Sequence, residues 1–358
     1  MTVQSPWRTD NPAAGSFPWL VYRDGREYQA QNWNLAFASM GLLAAYKAFD
    51  DPACERAALR MGSYMKALQI FDPFKPEWYG AIREQTPQTP WCFTRDTLSV
   101  AWAFIELYRH TGDAEWLERA RLWAEWFLAR GRDDQGWPLW GHRFEPQFPH
   151  QARRMRNDLQ GCFQGGSLNF LYHLAKETGD DKWTGEPMTK IADLLVDHVQ
   201  QPSGYFVSID RETKQPPDAD PQGGLHRAND DLSTLGLLCA YRATGNERYL
   251  RSVERFLDAV FEAQREDGRF EDSVASIPVV LNVLHEAGDL VSVSTAQDGT
   301  VERALAALYA SQDDGEVSPR MRGGLNEVGR GYVCARSSCY ALIVLVKLFA
   351  GVGDYLCD

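Results

Sequence analysis

Apolar and polar positions along this chain of 358 residues recur in pairs. A helix-length stretch that is apolar or small at nearly every position is followed by a short polar break. Then comes a stretch in which Glu, Arg and Lys return at helical spacing. Five segments share the outline, at 41–65, 103–128, 169–199, 236–262 and, more weakly and with an insertion, 280–310. A sixth apolar stretch, 337–351, begins in the same way. Apolar character all round predicts a helix buried on most sides, and a charged stripe predicts one with a wet face. The breaks recur as HTGD at 110–113, ETGD at 177–180 and ATGN at 243–246. Glycine there suits the left-handed residue that ends a helix, and Asp or Asn suits the cap that starts the next.

Inner-then-outer helix pairs at a spacing of about 60 residues, nearly six in number, predict an all-α fold closed as an (α/α)6 toroid. The 34-residue period of tetratricopeptide arrays does not fit. Strand signals are few and sit in connections, as at 205–209. Residues 1–30 read as an N-terminal extension packing on the barrel, and 31–358 as one toroidal catalytic domain. Connections from inner to outer helix are short, whereas those leading back are long, at 70–94, 130–160, 200–229, 264–274 and 311–335. Long loops in a compact domain usually carry function. These hold Trp78, Tyr79, Trp91, Phe93, Trp137, Trp140, Phe144, Phe148, Tyr205, Phe206 and Tyr332, predicting an aromatic-rimmed mouth at the N-termini of the inner helices. Trp116, Trp123 and Trp126 lie on an outer stretch and read as packing.

Composition narrows the classes. Asp and Glu number 49 against 37 Lys and Arg, a formal charge of −12, and no basic stripe covers the chain. Nucleic acid is therefore not an expected partner, because such binding neutralises phosphates with Lys and Arg. The apolar run at 340–352 is interrupted by Lys347 and is too short to span a bilayer, so no membrane association is expected. The polar start at 1–14 has no apolar leader core, and the seven cysteines show no paired short spacing. Both point to reduced thiols and a cytoplasmic location.

Candidate chemistry gathers where inner helices begin. In WCFTRDTLSVAW, 91–102, Asp96 falls in the first turn of the second inner helix, with Thr94 available as a cap. Asp96 is either such a helix-start carboxylate or a functional one. In LHRANDDLSTLGLL, 225–238, Asp230 and Asp231 stand together near His226, although one acid would suffice as a cap. The second and fourth inner helices lie two places apart in a six-membered ring. Their carboxylates can therefore converge, and a carboxyl pair is the usual equipment for glycoside cleavage. His142, Arg143, Arg153, Arg154 and Arg156 place positive charge in one mouth loop, suited to a carboxylate or sulfate or else a solvated surface. Asp158 and Gln164 add hydrogen-bonding groups, and Gly165–Gly166 would let a ligand approach backbone. Trp33, Trp91, Trp140 and Tyr332 are candidate stacking platforms, with Arg143 and Arg336 as anion-holding groups and Arg95 as a further substrate-binding candidate. No phosphate-binding loop, dinucleotide fingerprint, nucleophile elbow or HExxH occurs, and neither cofactor nor metal is required.

The breaks in HTGDAEWLERARLWAEWF and ATGNERYLRSVERFLDAV resemble the six-hairpin glycosidase superfamily over most of the chain. Within it, RDTLSVAWAFIELYRHTGD is similar to the unsaturated glucuronyl and rhamnogalacturonyl hydrolases. That resemblance implies that Asp96 acts as general acid/base in hydrating an unsaturated uronic ring. The expected function is a glycoside hydrolase cleaving an acidic saccharide or oligosaccharide by metal-free acid/base catalysis. A lyase or sugar epimerase on the same fold is the alternative. QREDGRF, 264–270, and SQDDGEV, 311–317, also resemble the glutamine-and-glycine turn repeats of terpene cyclases. Ala228, however, stands where those enzymes need an upstream Asp.

Overall fold

The computed structural model describes residues 15–144, 158–216, 231–293, 299–327 and 330–352. The helices are α1 (Asn32–Phe49), α2 (Pro52–Leu68), α3 (Thr94–Thr111), α4 (Ala114–Arg130), α5 (Gly161–Thr178), α6 (Glu186–Leu194), α7 (Asp231–Thr244), α8 (Glu247–Glu262), α9 (Ser276–Ala287), α10 (Thr300–Ala310) and α11 (Ala335–Ala350). The odd-numbered helices form the inner ring, each touching the next, and α11 closes back onto α1. α2, α4, α6, α8 and α10 lie outside their partners. Among the described residues α11 has no outer helix. The chain thus has the (α/α)6 toroid predicted from its repeat.

The polar breaks form as their residues dictate. Gly112, Gly179 and Gly245 adopt positive φ, of +70°, +64° and +70°, and end α3, α5 and α7. Asp113, Asp180 and Asn246 then accept hydrogen bonds from the backbone N–H two residues on. The first break lacks glycine. There Asp50 itself takes the left-handed conformation and Asp51 caps α2 through the Ala53 N–H.

A second recurring device ties three of the long loops to the ring of outer helices. Gln69 donates to the carbonyls of Gly80 and Arg119, both at 3.0 Å. Gln200 does the same to Gly204 and Ser252, and Gln264 to Gly268 and Thr300. Gly80, Gly204 and Gly268 have φ near +90°, and a Cβ on any of them would collide with the neighbouring outer helix. The glutamine-and-glycine turn at 264–270 is therefore accounted for as a loop clamp, whereas in 311–317 Gln312 donates within its own loop, to Gly323.

Short strands cross the mouth end. β1 (Pro18–Tyr22) pairs antiparallel with β2 (Glu27–Gln29) and β7 (Tyr332–Cys334), β3 (Trp91–Phe93) with β4 (Gly141–Arg143), and β5 (Asp158–Leu159) with β6 (Ile209–Asp210). The strand expected at 205–209 is reduced to a bridge at Phe206 and the start of β6.

Two expectations are corrected. Gly165 does not admit a ligand: a Cβ there would strike the Leu232 backbone, and one on Gly236 would strike Gly165. The two glycines let α5 and α7 pack backbone to backbone. Phe144, Tyr205 and Phe206 are core residues, not rim, while Trp116, Trp123 and Trp126 are buried as predicted. Phe148 lies outside the described residues.

The far end of the inner ring is closed by charge. Arg109 bridges Glu106 and Glu177 at 2.7 and 2.6 Å and reaches His173 Nδ1 at 3.4 Å. His173 stacks on Trp102, and Lys347 pairs with Glu286. Such buried pairs are stable only when their hydrogen bonds are satisfied.

Candidate active site

Inner helices return to the mouth through outer ones, so the inner N-termini collect there. On four of the six inner helices the third residue is polar: Asn34 on α1, Asp96 on α3, Ser233 on α7 and Ser337 on α11, all buried. One of the four carries charge.

Asp96 does not sit beside the expected cap. Phe93 occupies the cap position of α3, and Thr94 is the first helical residue, its hydroxyl unpartnered among the described residues. Asp96 Oδ1 instead pairs with the Arg95 guanidinium at 3.3 Å. Arg95 also donates to the Tyr340 hydroxyl at 3.2 Å and lies 4.4 Å over the Trp33 ring. Trp33 is thus covered by a cation, with its indole N–H on Gln31 at 3.0 Å.

Beneath Asp96 lies a residue that the sequence did not flag. Glu84 is 0% exposed and Asp96 only 7%. Glu84 Oε2 accepts the Phe93 N–H at 2.8 Å, Oε1 meets no donor among the described residues, and the carboxyl engages the Asp96 carboxyl side chain to side chain. Burial, then the Asp96 charge, push the Glu84 carboxyl well above the ordinary carboxylate range; the Phe93 N–H and Arg95 oppose this and lose. The same surroundings push the buried Cys92 thiol up.

The pair has a counterpart. Bridges Gln69–Ile82 and Gln312–Leu325 mark equivalent points in two loops, and Glu84 and Glu327 each follow two residues later. Their N–H groups donate to Trp91 and Tyr332, the first residues of β3 and β7, both at 3.1 Å. Arg95 and Arg336 then occupy the second position of α3 and α11, and Asp96 and Ser337 the third. Ser337 hydrogen-bonds to Glu327. A glutamate four residues after the loop glycine, as from Gly80 to Glu84 and Gly323 to Glu327, is the signal that would have found both.

The other candidates are distributed around this centre. Arg336 donates to Ser273 at 2.9 Å and approaches Glu327 at 4.0 Å. Tyr332 packs on Tyr22 at 5.0 Å and accepts from Arg330. Trp91 and Arg143 are paired across β3 and β4, and the Trp140 carbonyl accepts the Thr94 N–H at 3.0 Å. His142 stands edge-on to Trp126; burial, with Arg130 nearby, holds its imidazole below the ordinary range. Asp158 faces Asp210 across β5 and β6. Gln164 is 1% exposed, with neither amide atom partnered among the described residues. On α1 the position equivalent to Asp96 is held by the neutral Asn34, whose amide is unpartnered in the same sense. His226 and Asp230, like Arg153, Arg154 and Arg156, lie outside the described residues. Asp231 opens α7, with its side chain outside them.

No family model matches the sequence, and no curated protein matches it. Solved structures do match. Cellobiose 2-epimerase from Bacillus thermoamylovorans aligns at TM-score 0.67 and 12% identity, over 95% of this chain and 94% of that one. An unsaturated glucuronyl hydrolase specific for heparin aligns at 0.66 and 16%, over 96% and 92%. The GH76A α-1,6-mannanase of a Salegentibacter species aligns at 0.62 and 16%, over 93% and 92%. The architecture shared with them is the (α/α)6 toroid.

Proposed function

We propose that this six-hairpin toroid is a carbohydrate-active enzyme, a glycoside hydrolase acting on a uronate-containing saccharide with Asp96 as its proton-transfer group. The observation that carries the reading is the Glu84–Asp96 carboxyl pair beside Arg95 at an inner-helix start. A buried ionisable cluster in a concave mouth is where proton-transfer groups are tuned. Arg95 and Arg336 supply cations for a sugar carboxylate, and Asn34 and Gln164 supply buried amides for hydroxyls. α7 lies two places from α3 in the ring, so Asp231, with Asp230 and His226 before it, remains the source of the second acid or base. In a mannanase of this fold, an inactive variant has two adjacent aspartates replaced, and Asp230–Asp231 is likewise an adjacent pair.

An epimerase is the second reading. It is favoured by His142, which burial keeps in the neutral form that a proton-abstracting base requires. The test is product analysis on unsaturated and saturated oligouronides and on cellobiose, for wild type and Asp96→Asn. Hydrolysis of an unsaturated uronide that the variant loses supports the first reading. Conversion of cellobiose to an isomer, lost in His142→Ala, replaces it with the second.

A further inference from the structure

Glu84 and Asp96 are both buried and engage side chain to side chain, and two ionised carboxylates cannot hydrogen-bond to one another, so a proton rests on one of them. Where that proton rests follows from what surrounds each group. Asp96 lies in the first turn of α3, where the helix dipole favours negative charge, and it holds the Arg95 guanidinium at 3.3 Å. Glu84 sits in a loop, wholly enclosed, with one backbone N–H and, among the described residues, no direct cation. Leaving a bare carboxylate there would cost several kcal/mol of desolvation. Among the described residues the Cys92 thiol on β3, His142 across from it on β4 and Tyr340 on α11, which meets Arg95, also lie nearby, and the Asn32 N–H of α1 donates to the Glu84 carbonyl. A second copy of the arrangement places a glutamate and a helix side chain in the same relation. At Glu327 the partner in the third helix position is a hydroxyl, Ser337, which donates to the glutamate. At Glu84 the partner has no proton to give, so the direction of the hydrogen bond reverses.

We propose that Glu84 stands as a neutral carboxylic acid beneath Asp96 and donates its proton in a hydrogen bond to the Asp96 carboxylate, which makes it the positioning residue for that group. Its effect on turnover rests on the reading of Asp96 given above; its protonation does not. The donated bond and Arg95 together fix the carboxylate from two sides.

The test begins with the infrared difference spectrum of wild type against Glu84→Gln at pH 7. The expected result is one neutral carboxylic-acid carbonyl band in wild type that is absent from the variant. Absence of that band overturns the proposal, whatever the activity. Failure of Glu84→Gln to fold also overturns it, because an amide is the neutral isostere of the acid. On a substrate that turns over, Glu84→Leu should lose about tenfold or more in kcat with KM unchanged, the worth of one hydrogen bond to a charged group. Glu84→Gln, whose amide can still donate, should recover most of that loss. Equal loss in both variants overturns the positioning role. If the band is present but Asp96→Asn remains fully active, the site reading fails while the protonation of Glu84 stands.

Discussion

Ser337 donates its hydroxyl to the buried carboxylate of Glu327, from the helix position that Asp96 occupies above Glu84 in another repeat. The chain therefore contains a version of the candidate centre in which a hydroxyl replaces the aspartate. Asp96→Ser should reproduce that version, with a stability within about 1 kcal/mol of wild type. Activity should fall by about 10²- to 10⁴-fold, the usual worth of a proton-transfer group. Denaturant titration beside a product assay reads both quantities. Full activity in this variant would remove Asp96 from the mechanism.

The closest approach in the inner ring gives a test of packing. Gly165→Ala and Gly236→Ala place a Cβ against backbone that cannot move aside. Each should cost about 1–3 kcal/mol or more through overpacking. Gly185→Ala is the control, since its Cβ would meet nothing nearer than 3.6 Å, and it should change stability little. Equal melting temperatures for all three variants would contradict the backbone-to-backbone contact.

Loop clamping is testable at Gln200. Its amide donates to Gly204 and Ser252 at 2.9 and 2.8 Å and accepts from the Ser252 hydroxyl at 2.5 Å. Gln200→Ala strands two buried carbonyls and should destabilise by about 2–4 kcal/mol. Proteolysis should then cut first within 200–216. Unaltered denaturation would show that the clamp contributes nothing.

Acid should weaken the far end of the ring. Burial, with Arg109 the nearest opposing cation, holds the His173 imidazole well below its ordinary 6.5. Below that pH the unfolded chain takes up a proton that the folded chain refuses, so stability falls as pH drops. The slope reaches about 1.4 kcal/mol per pH unit for one group. His142 shifts in the same direction. His173→Gln should flatten the profile between pH 6.5 and about 5, and an unchanged slope would assign the acid sensitivity elsewhere.

The ring itself was legible because helical periodicity and the Gly–Asp breaks are local signals. Gly112 with Asp113 and Gly179 with Asp180 do in the structure what their chemistry dictates. Asp96 was legible for a related reason, since an acid at a helix start stands out in any apolar stretch. Glu84 was not. It sits in a loop without periodicity, and its burial depends on β3, α1 and α3 meeting around it. Gly165 was misread because a glycine needed by a neighbouring helix and one needed by a ligand look alike in sequence. Phe144 and Phe206 were misread because loop residues can turn inward and join the core.

The glutamine clamps separate what the fold must keep from what it is free to change. Each fastens its loop near the base, at one glycine and one carbonyl of the adjoining outer helix. Whatever lies above that fastening can lengthen, shorten or change sequence without loosening the helices beneath. Mutation can thus explore the mouth one loop at a time, and a new specificity need not be accompanied by a new scaffold.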